Sequence, residues 1–433
     1  MSPRLTVLLL LAACSMRPAG EDDERERARA HAGEFERPVA ERTLPEVTET
    51  APLADWVRRA LLASPALEVE YWKWRAAIER IPQASTQDST LELGFESIVS
   101  SGAGSLADRS ALLASTDSAF GLVWPGKLAA QGRAALEEAR AAGFHFEQMR
   151  GELASRTVTT FVELALVQAE IRIGEESLAL LRAQLPAIEA RVRSGATLQQ
   201  ELLRARTQIQ LGAADLASKR GKEPGARARL NAIIAREVGM AASVELPPDE
   251  PLPFAEDELL HRLFAHNPEL AEHAHEILAR KEALAAAELE WLPELSLSAS
   301  IGKDVTALGA ALTAPFLRAP AISGAIAEAK AWVAEAEAYR RQMEKDMAAD
   351  ALQELAIFRS AGVQRSLFAA TILPSAEQTL QLVRAAYGLS QATFLELTEA
   401  QRTLLEARLA QVRLAGERTK SRAQLLRIAA HTH

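Results

Sequence analysis

A mostly α-helical fold with a small β part is the class this sequence predicts, and three observations predict it. Alanine, leucine, glutamate and arginine dominate the 433 residues, while aromatic residues make up 5%. That mix favours long helices over a compact mixed sheet. The chain passes through one order of segments twice, and each round carries apolar seams that step by three and four residues, the spacing of helices packed side by side.

The chain opens MSPRLTVLLLLAACS. Arg4 supplies a positive start, Leu5 to Leu11 an apolar run, and Leu11-Ala12-Ala13-Cys14 reads as a bacterial lipobox. Residues 1–13 are thus expected to be a lipoprotein signal peptide and Cys14 the lipid acceptor. Cys14 is the single cysteine of the chain and cannot close an internal disulfide. The plainer alternative is a secretory signal, or a short membrane anchor, with an incidental cysteine. Ser15 instead of aspartate is compatible with sorting to the outer membrane, which makes the expected address a Gram-negative envelope. Residues 14–50 contain EDDERERARAHAGEFERP and read as a solvated, lipid-anchored tether.

Repeat 1 is expected over residues 51–245 and repeat 2 over 259–433, with a proline-rich connector at 246–258. Each opens on a helix at a polar-proline step, Ser64-Pro65 and Asn267-Pro268, where proline costs no hydrogen bond and the polar residue can cap. Period-two sequence follows. In repeat 1, over about 89–124, Leu91, Leu93 and Phe95 alternate with other types, and later Phe120, Leu122 and Trp124 do. In repeat 2, over about 294–314, Leu295, Leu297, Ala299 and Ile301 alternate with serines, then Leu308, Ala310 and Leu312 with small residues. These are two candidate β-hairpins, contributing four strands.

Each hairpin hands over at a proline, Pro125 or Pro315, to a very long helix. The run from Gly126 to Ser194 would reach roughly 100 Å at ~1.5 Å per residue. Leu178, Leu181, Leu185 and Ile188 answer Leu202, Ala205, Ile209 and Leu216 across a bend. Leu380, Val383 and Tyr387 answer Leu397, Ala400, Leu404 and Ala407 in the same way. Pro186 and Pro374 are expected to kink these runs or mark a local break. The two bends align at a constant offset: Val192, Gly195, Glu201 and Ala205 against Tyr387, Ser390, Glu396 and Ala400. The tips of two helical hairpins are therefore expected near 194–198 and 387–393, with Gly195 or Gly388 taking the positive φ that reverses the chain and Ser390 as a further turn residue.

Two short hairpins cannot close a barrel by themselves. An open strand edge in hydrocarbon leaves N–H and C=O groups unpaired at several kcal/mol each. If the strands enter a membrane, copies must combine, and four strands from each of three chains close an even, twelve-stranded transmembrane β-barrel. The long helices of each chain would pack likewise into a hollow α-barrel.

The doubled Ser/Asn-Pro openings, the Leu292-Pro293 step before the second strand region (Ile81-Pro82 in repeat 1) and the tip pattern around Tyr387, Thr393 and Glu396 occur in one order, twice. In that order they resemble the TolC-like outer-membrane efflux family, over roughly Pro52 to the end. GLVWPGKLAAQGRAALEEA and SIGKDVTALGAALTAPFLRAPAISGAIAEA look most like its CzcC/CusC-type branch, associated with heavy-metal export. The resemblance implies a homotrimer with its barrel in the outer membrane and a long periplasmic portion. It implies partners too: a periplasmic adaptor (membrane fusion protein), an inner-membrane pump, and outer-membrane lipid through Cys14. The function implied is the exit duct of a tripartite efflux system, with heavy-metal cations among its cargoes. A type I secretion duct, or a periplasmic adaptor or coiled-coil lipoprotein without a pore, is the alternative. The resemblance puts Glu201, Glu396 and Glu399 at acidic positions of a periplasmic aperture and Tyr387 among its closing contacts. Carboxylates in a narrow, low-dielectric bore favour cations. Read as residues alone, Glu396 and Glu399 fit a solvated helix face equally, and Tyr387 fits core packing. Ala392 stands where some members place an arginine that holds the tips shut.

Other functions have little support. No phosphate loop, nucleophile elbow or HExxH is present, so neither an enzyme nor a cofactor is expected. A net charge of −9 argues against nucleic acid, which requires a basic face. His261, His266, His273 and His275 cluster in repeat 2, but His273 and His275 point two ways on a helix and no metal-ligand spacing appears. No internal run of about 20 apolar residues would make a transmembrane helix. Trp124 and Trp291 border the strand regions, as interfacial belt residues or as buried packing.

Overall fold

The computed structural model describes residues 16–48, 51–86, 91–97, 110–116, 123–195, 197–302, 306–312, 314–389 and 391–430. In chain order the helices are α1 (Glu21–Arg29), α2 (Ala32–Phe35), α3 (Leu53–Ala63), α4 (Pro65–Ser85), α5 (Pro125–Arg193), α6 (Gln199–Ile233), α7 (Leu259–His266), α8 (Pro268–Glu288), α9 (Ala319–Leu367), α10 (Leu373–Gly388) and α11 (Phe394–Ile428). Strands β1 (Leu91–Ser97) and β2 (Ser110–Thr116) fall between α4 and α5, and β3 (Leu295–Gly302) and β4 (Thr306–Leu312) between α8 and α9.

The helix openings follow the polar-proline steps. Ser64 Oγ accepts from Leu67 N–H at 3.3 Å, and α4 begins at Pro65. The Asn267 amide instead donates to the Ile428 carbonyl at 3.0 Å, fastening the approach to α8 onto the end of α11.

The strands form one antiparallel sheet in the order β1-β2-β3-β4. Leu91 pairs with Thr116 and Ser97 with Ser110; Leu295 pairs with Leu312 and Ile301 with Thr306. The second strand lies earlier than the alternation predicts. Phe120 and Leu122 lie outside the described residues, and Trp124 directly precedes α5. β2 is bonded on both sides, to β1 and to β3. Ala111-Leu112-Leu113-Ala114 is a short apolar run without alternation, so it carries no period-two signal.

The segment read as a solvated tether is packed instead. The Trp74 indole N–H donates to Glu24 at 2.8 Å, and Arg27 lies over the Trp74 and Phe144 rings. Arg25 bridges Glu21 and Glu79. Phe35 stacks on Tyr71, whose hydroxyl donates to Glu36 at 2.8 Å, and Met16 N–H donates to the Ser85 carbonyl. Charge alone suggested solvent; here the charges have fixed partners, which makes burial affordable.

The sequence repeats are not the compact bodies of the molecule. One unit draws on residues up to Glu36, Glu68–Glu147 and Pro268–Glu344; the other on Arg37–Leu67, Gln148–Asn267 and from Lys345 on. Each takes its residues from both repeats, since α5 and α9 each contribute to both units. The first is centred on Tyr71, Trp74, Ile78 and Phe146, all fully buried. The second holds Trp56, Phe161, Leu164, Leu230 and Ile234 in one cluster, and the seam Ile171, Leu178, Ile209 and Leu216 in another.

Pro374 marks a local break, as expected, and Pro186 does not interrupt its helix. Pro186 sits inside α5, a helix of 69 residues that continues through it. Pro374 follows a wide turn of π-helix at Phe368–Ile372. Proline has no N–H to donate and its ring crowds the carbonyl four residues back, so the wider turn relieves the clash without ending the helix.

Candidate functional site at the paired helical tips

Both tips lie in the second unit. At the first, α5 ends at Arg193 and α6 begins at Gln199, with Gly195 at φ 73°. At the second, α10 runs through Gly388 and is capped by Leu389 at φ −88°. Gly388 therefore does not supply the left-handed residue, contrary to expectation; the chain leaves the helix one residue later. Ser390 lies outside the described residues, as does Cys14.

Glu201 and Glu396 each occupy the third position of their helix, so the aligned pair is also structurally equivalent. Their surroundings differ. Thr393 caps α11: its hydroxyl accepts from Glu396 N–H at 3.2 Å, while the Glu396 carboxylate accepts from Thr393 N–H at 2.6 Å. This reciprocal box satisfies two donors that a helix start leaves open. The backbone N–H of Thr393, and then its hydroxyl, hold the Glu396 carboxyl below its usual range. In α6 the cap position is Leu198, which has no side chain for the task, and Glu201 instead takes the Thr197 hydroxyl at 2.5 Å. Glu399 is exposed and pairs with Arg402 at 2.9 Å. Both outer acids of α11 thus have local partners.

Beneath the turns, Ile188 of α5 and Ala205 of α6 share one buried cluster with Tyr387 of α10 and Phe394 and Leu397 of α11. Ala392 packs against it. Tyr387 is 8% exposed and its ring faces Phe394 at 6.3 Å. Arg191, which sequence reasoning did not single out, spans the two hairpins. Its guanidinium donates to the Tyr387 carbonyl at 2.6 Å and lies over the Tyr387 ring at 4.6 Å. Burial pushes the Tyr387 hydroxyl up, against the opposing charge of Arg191. That hydroxyl is buried with no hydrogen-bond partner among the described residues. A signal for Arg191 existed in the sequence: it lies three residues after Ile188 on the seam, where an arginine has to answer something on the facing helix. Leu198, Leu389 and Leu395 are exposed around the turns; a leucine at a helix cap was the legible anomaly there.

His261 and His266 lie in the second unit, whereas His145, His273 and His275 lie in the first, each against a carboxylate. His273 meets Glu276, His275 meets Glu137 and stacks on Phe144, and His145 meets Glu272. Among the described residues no three His, Cys, Asp or Glu side chains converge as a metal site. No described helix is long and apolar enough to cross a membrane.

The model of the outer membrane efflux protein family matches residues 259–431. This segment belongs to the outer membrane efflux proteins. It holds the second tip with Tyr387, Glu396 and Glu399, so the family resemblance read from that tip stands. No curated protein is matched by sequence. Among solved structures, the fold is similar to the outer membrane protein VceC from Vibrio cholerae, with a TM-score of 0.75 at 20% identity, over 87% of this chain and 95% of that one. It is also similar to CusC (TM-score 0.73, 18% identity, 87% and 91%). The open state of the MtrE channel of Neisseria gonorrhoeae gives 0.73 at 17% identity, over 87% and 88%. At such identities the likeness is one of fold, and it extends over both repeats, beyond the segment that the efflux protein model matches.

Proposed function

We propose that this chain is one protomer of an outer-membrane exit duct in a tripartite efflux system. Three copies enclose a water-filled passage. The four strands of each close a twelve-stranded barrel in the outer membrane, and the helical hairpins extend into the periplasm to meet an adaptor and an inner-membrane pump. Cys14 carries the lipid that helps hold the protomer to the membrane. Heavy-metal cations are the cargo class that the sequence resemblance implies.

The observation that carries this reading is the open sheet. Among the described residues, β1 and β4 each have a strand partner on one side alone. Strands of seven and eight residues run about 24–27 Å at ~3.4 Å per residue, comparable with the ~25 Å apolar band of outer-membrane barrels. Such a sheet is stable in hydrocarbon when β4 of one copy pairs with β1 of the next.

Conductance in planar bilayers tests it. Purified protein is expected to form discrete, water-filled channels of a trimer; a well-folded monomer that conducts nothing would end the reading. Replacing Glu396 and Glu399 together by glutamine tests the aperture. Cation preference is expected to fall, and unchanged selectivity would remove both residues from the aperture.

A further inference from the structure

We propose that residues 245–253 of the connector form a salt-sensitive strap, seated on arginines of α5, α9 and α11 and closing a cavity within the second unit. The inference goes beyond the exit-duct reading and does not depend on it. The strap reads ELPPDEPLP, four prolines in nine residues. Proline has no N–H to give, so this backbone is unsuited to pairing as a strand, and the segment forms neither helix nor strand. Side chains hold it instead. Among the described residues, the hydrogen bonds and ion pairs that join it to other elements are all made with arginines. Glu245 approaches Arg172 of α5 at 3.7 Å, and Glu250 meets Arg422 of α11 at 2.8 Å. The Pro251 carbonyl accepts from the same Arg422 at 3.0 Å. Asp249 is shared between two helices: one oxygen takes Arg418 of α11 at 2.7 Å, and the other takes Arg365 of α9. All of these residues belong to the second unit.

The seat belongs to the helices and the acids to the strap. Arg418 is fixed independently of the strap. Its guanidinium donates to the Phe358 carbonyl at 3.1 Å, lies over the Phe358 ring at 3.9 Å, and fills the gap at Gly362, where a Cβ would collide with it. The side chains of Asp249, Glu250 and Glu245 are 38%, 57% and 84% exposed, so dissolved ions reach each pair. Leu246 reaches the core clusters, but the strap around it borders open space. A cavity of about 920 Å³ is lined by Pro247 and Pro248 of the strap, Leu53 and Val57 of α3, and Phe161 of α5. Ionic contacts thus do the holding where close packing is missing. Once the strap lifts, Arg365 and Arg418 lose the carboxylate between them, and their like charges oppose the closed spacing of α9 and α11.

Labelling of Val57→Cys by an uncharged maleimide tests this in the full chain, with Cys14→Ser leaving one thiol. Val57 is buried and lines the cavity. Raising salt from about 0.1 M to about 1 M shortens the screening length from about 10 Å to about 3 Å, and labelling is expected to quicken several-fold. Leu53→Cys, one helical turn away on the same wall, is expected to respond alike. Asp249→Asn with Glu250→Gln should label several-fold faster already at the lower salt, with little further response to salt. Labelling that is the same at both salt concentrations, or the same with and without the two acids, overturns the strap. Ile188→Cys, buried at the tip in the same unit, is the control and is expected to stay slow throughout. A parallel rise at Val57→Cys and Ile188→Cys would mean general loosening of the fold and would overturn the strap as well.

Discussion

Gly143 has no room for a side chain. A Cβ there would meet Trp74 Cε2 at 2.8 Å and Glu24 Oε1 at 2.9 Å, inside the packing that holds α1 on α4 and α5. Gly143→Ala is therefore expected to destabilise by about 1–3 kcal/mol through overpacking. Gly221, in the interior of α6, has nothing within 4 Å of the same position, so Gly221→Ala is expected to gain up to ~1 kcal/mol of helix propensity. Denaturant unfolding of the two variants checks both signs. His31 gives a pH dependence. Hydrogen bonds to Glu147 and then Glu34 outweigh burial and raise its pKa to about 9. The folded value lies above the unfolded one, near 6.5. Its contribution is thus fully present below about pH 6.5 and is lost as pH rises through about 9. Unfolding midpoints at pH 6 and pH 10 are expected to draw closer in His31→Ala than in the unaltered chain.

At the scale of elements, the tips of the two repeats differ by a cap. Thr393→Ala removes the reciprocal box and is expected to cost about 1 kcal/mol, seen as faster amide exchange over the first turn of α11. Leu198→Thr should do the opposite, because Glu201 already stands where a capping box needs its acid; a gain of about 0.5–1 kcal/mol is expected. The sequence alignment of the tips located both glutamates correctly in their helices. It did not give the end of α10 at Leu389, because a helix continues through glycine when the following residues can cap it. Nor did it give β2, whose apolar run Ala111-Leu112-Leu113-Ala114 does not alternate and so carries no period-two signal.

For the whole molecule, the two helical hairpins of the chain are tied by Arg191. If the tips gate the passage, Arg191→Ala is expected to favour the open state. A hydrogen bond to a charged group contributes about 1.5–3 kcal/mol, so the open-to-closed ratio should rise about tenfold or more, read from single-channel records. Unaltered open times would separate Arg191 from gating and leave it a structural tie. Arg191 stands in a protein whose Ala392 offers no cation at the second tip, and its reach across the hairpins is a tertiary fact that linear spacing does not carry.

The sequence by itself determined the repeat, the helix openings at Ser64-Pro65 and Asn267-Pro268, and the seams of the long helices. These are local: periodicity, capping and proline act over a few residues, and one chain reads them without help. Tertiary structure decided where charge is buried, as at Glu24 under Trp74, which segment becomes β2, and that each compact unit draws on both repeats. The reason is that burial and strand pairing depend on partners far along the chain, and a charged or apolar residue has no fixed environment until those partners arrive.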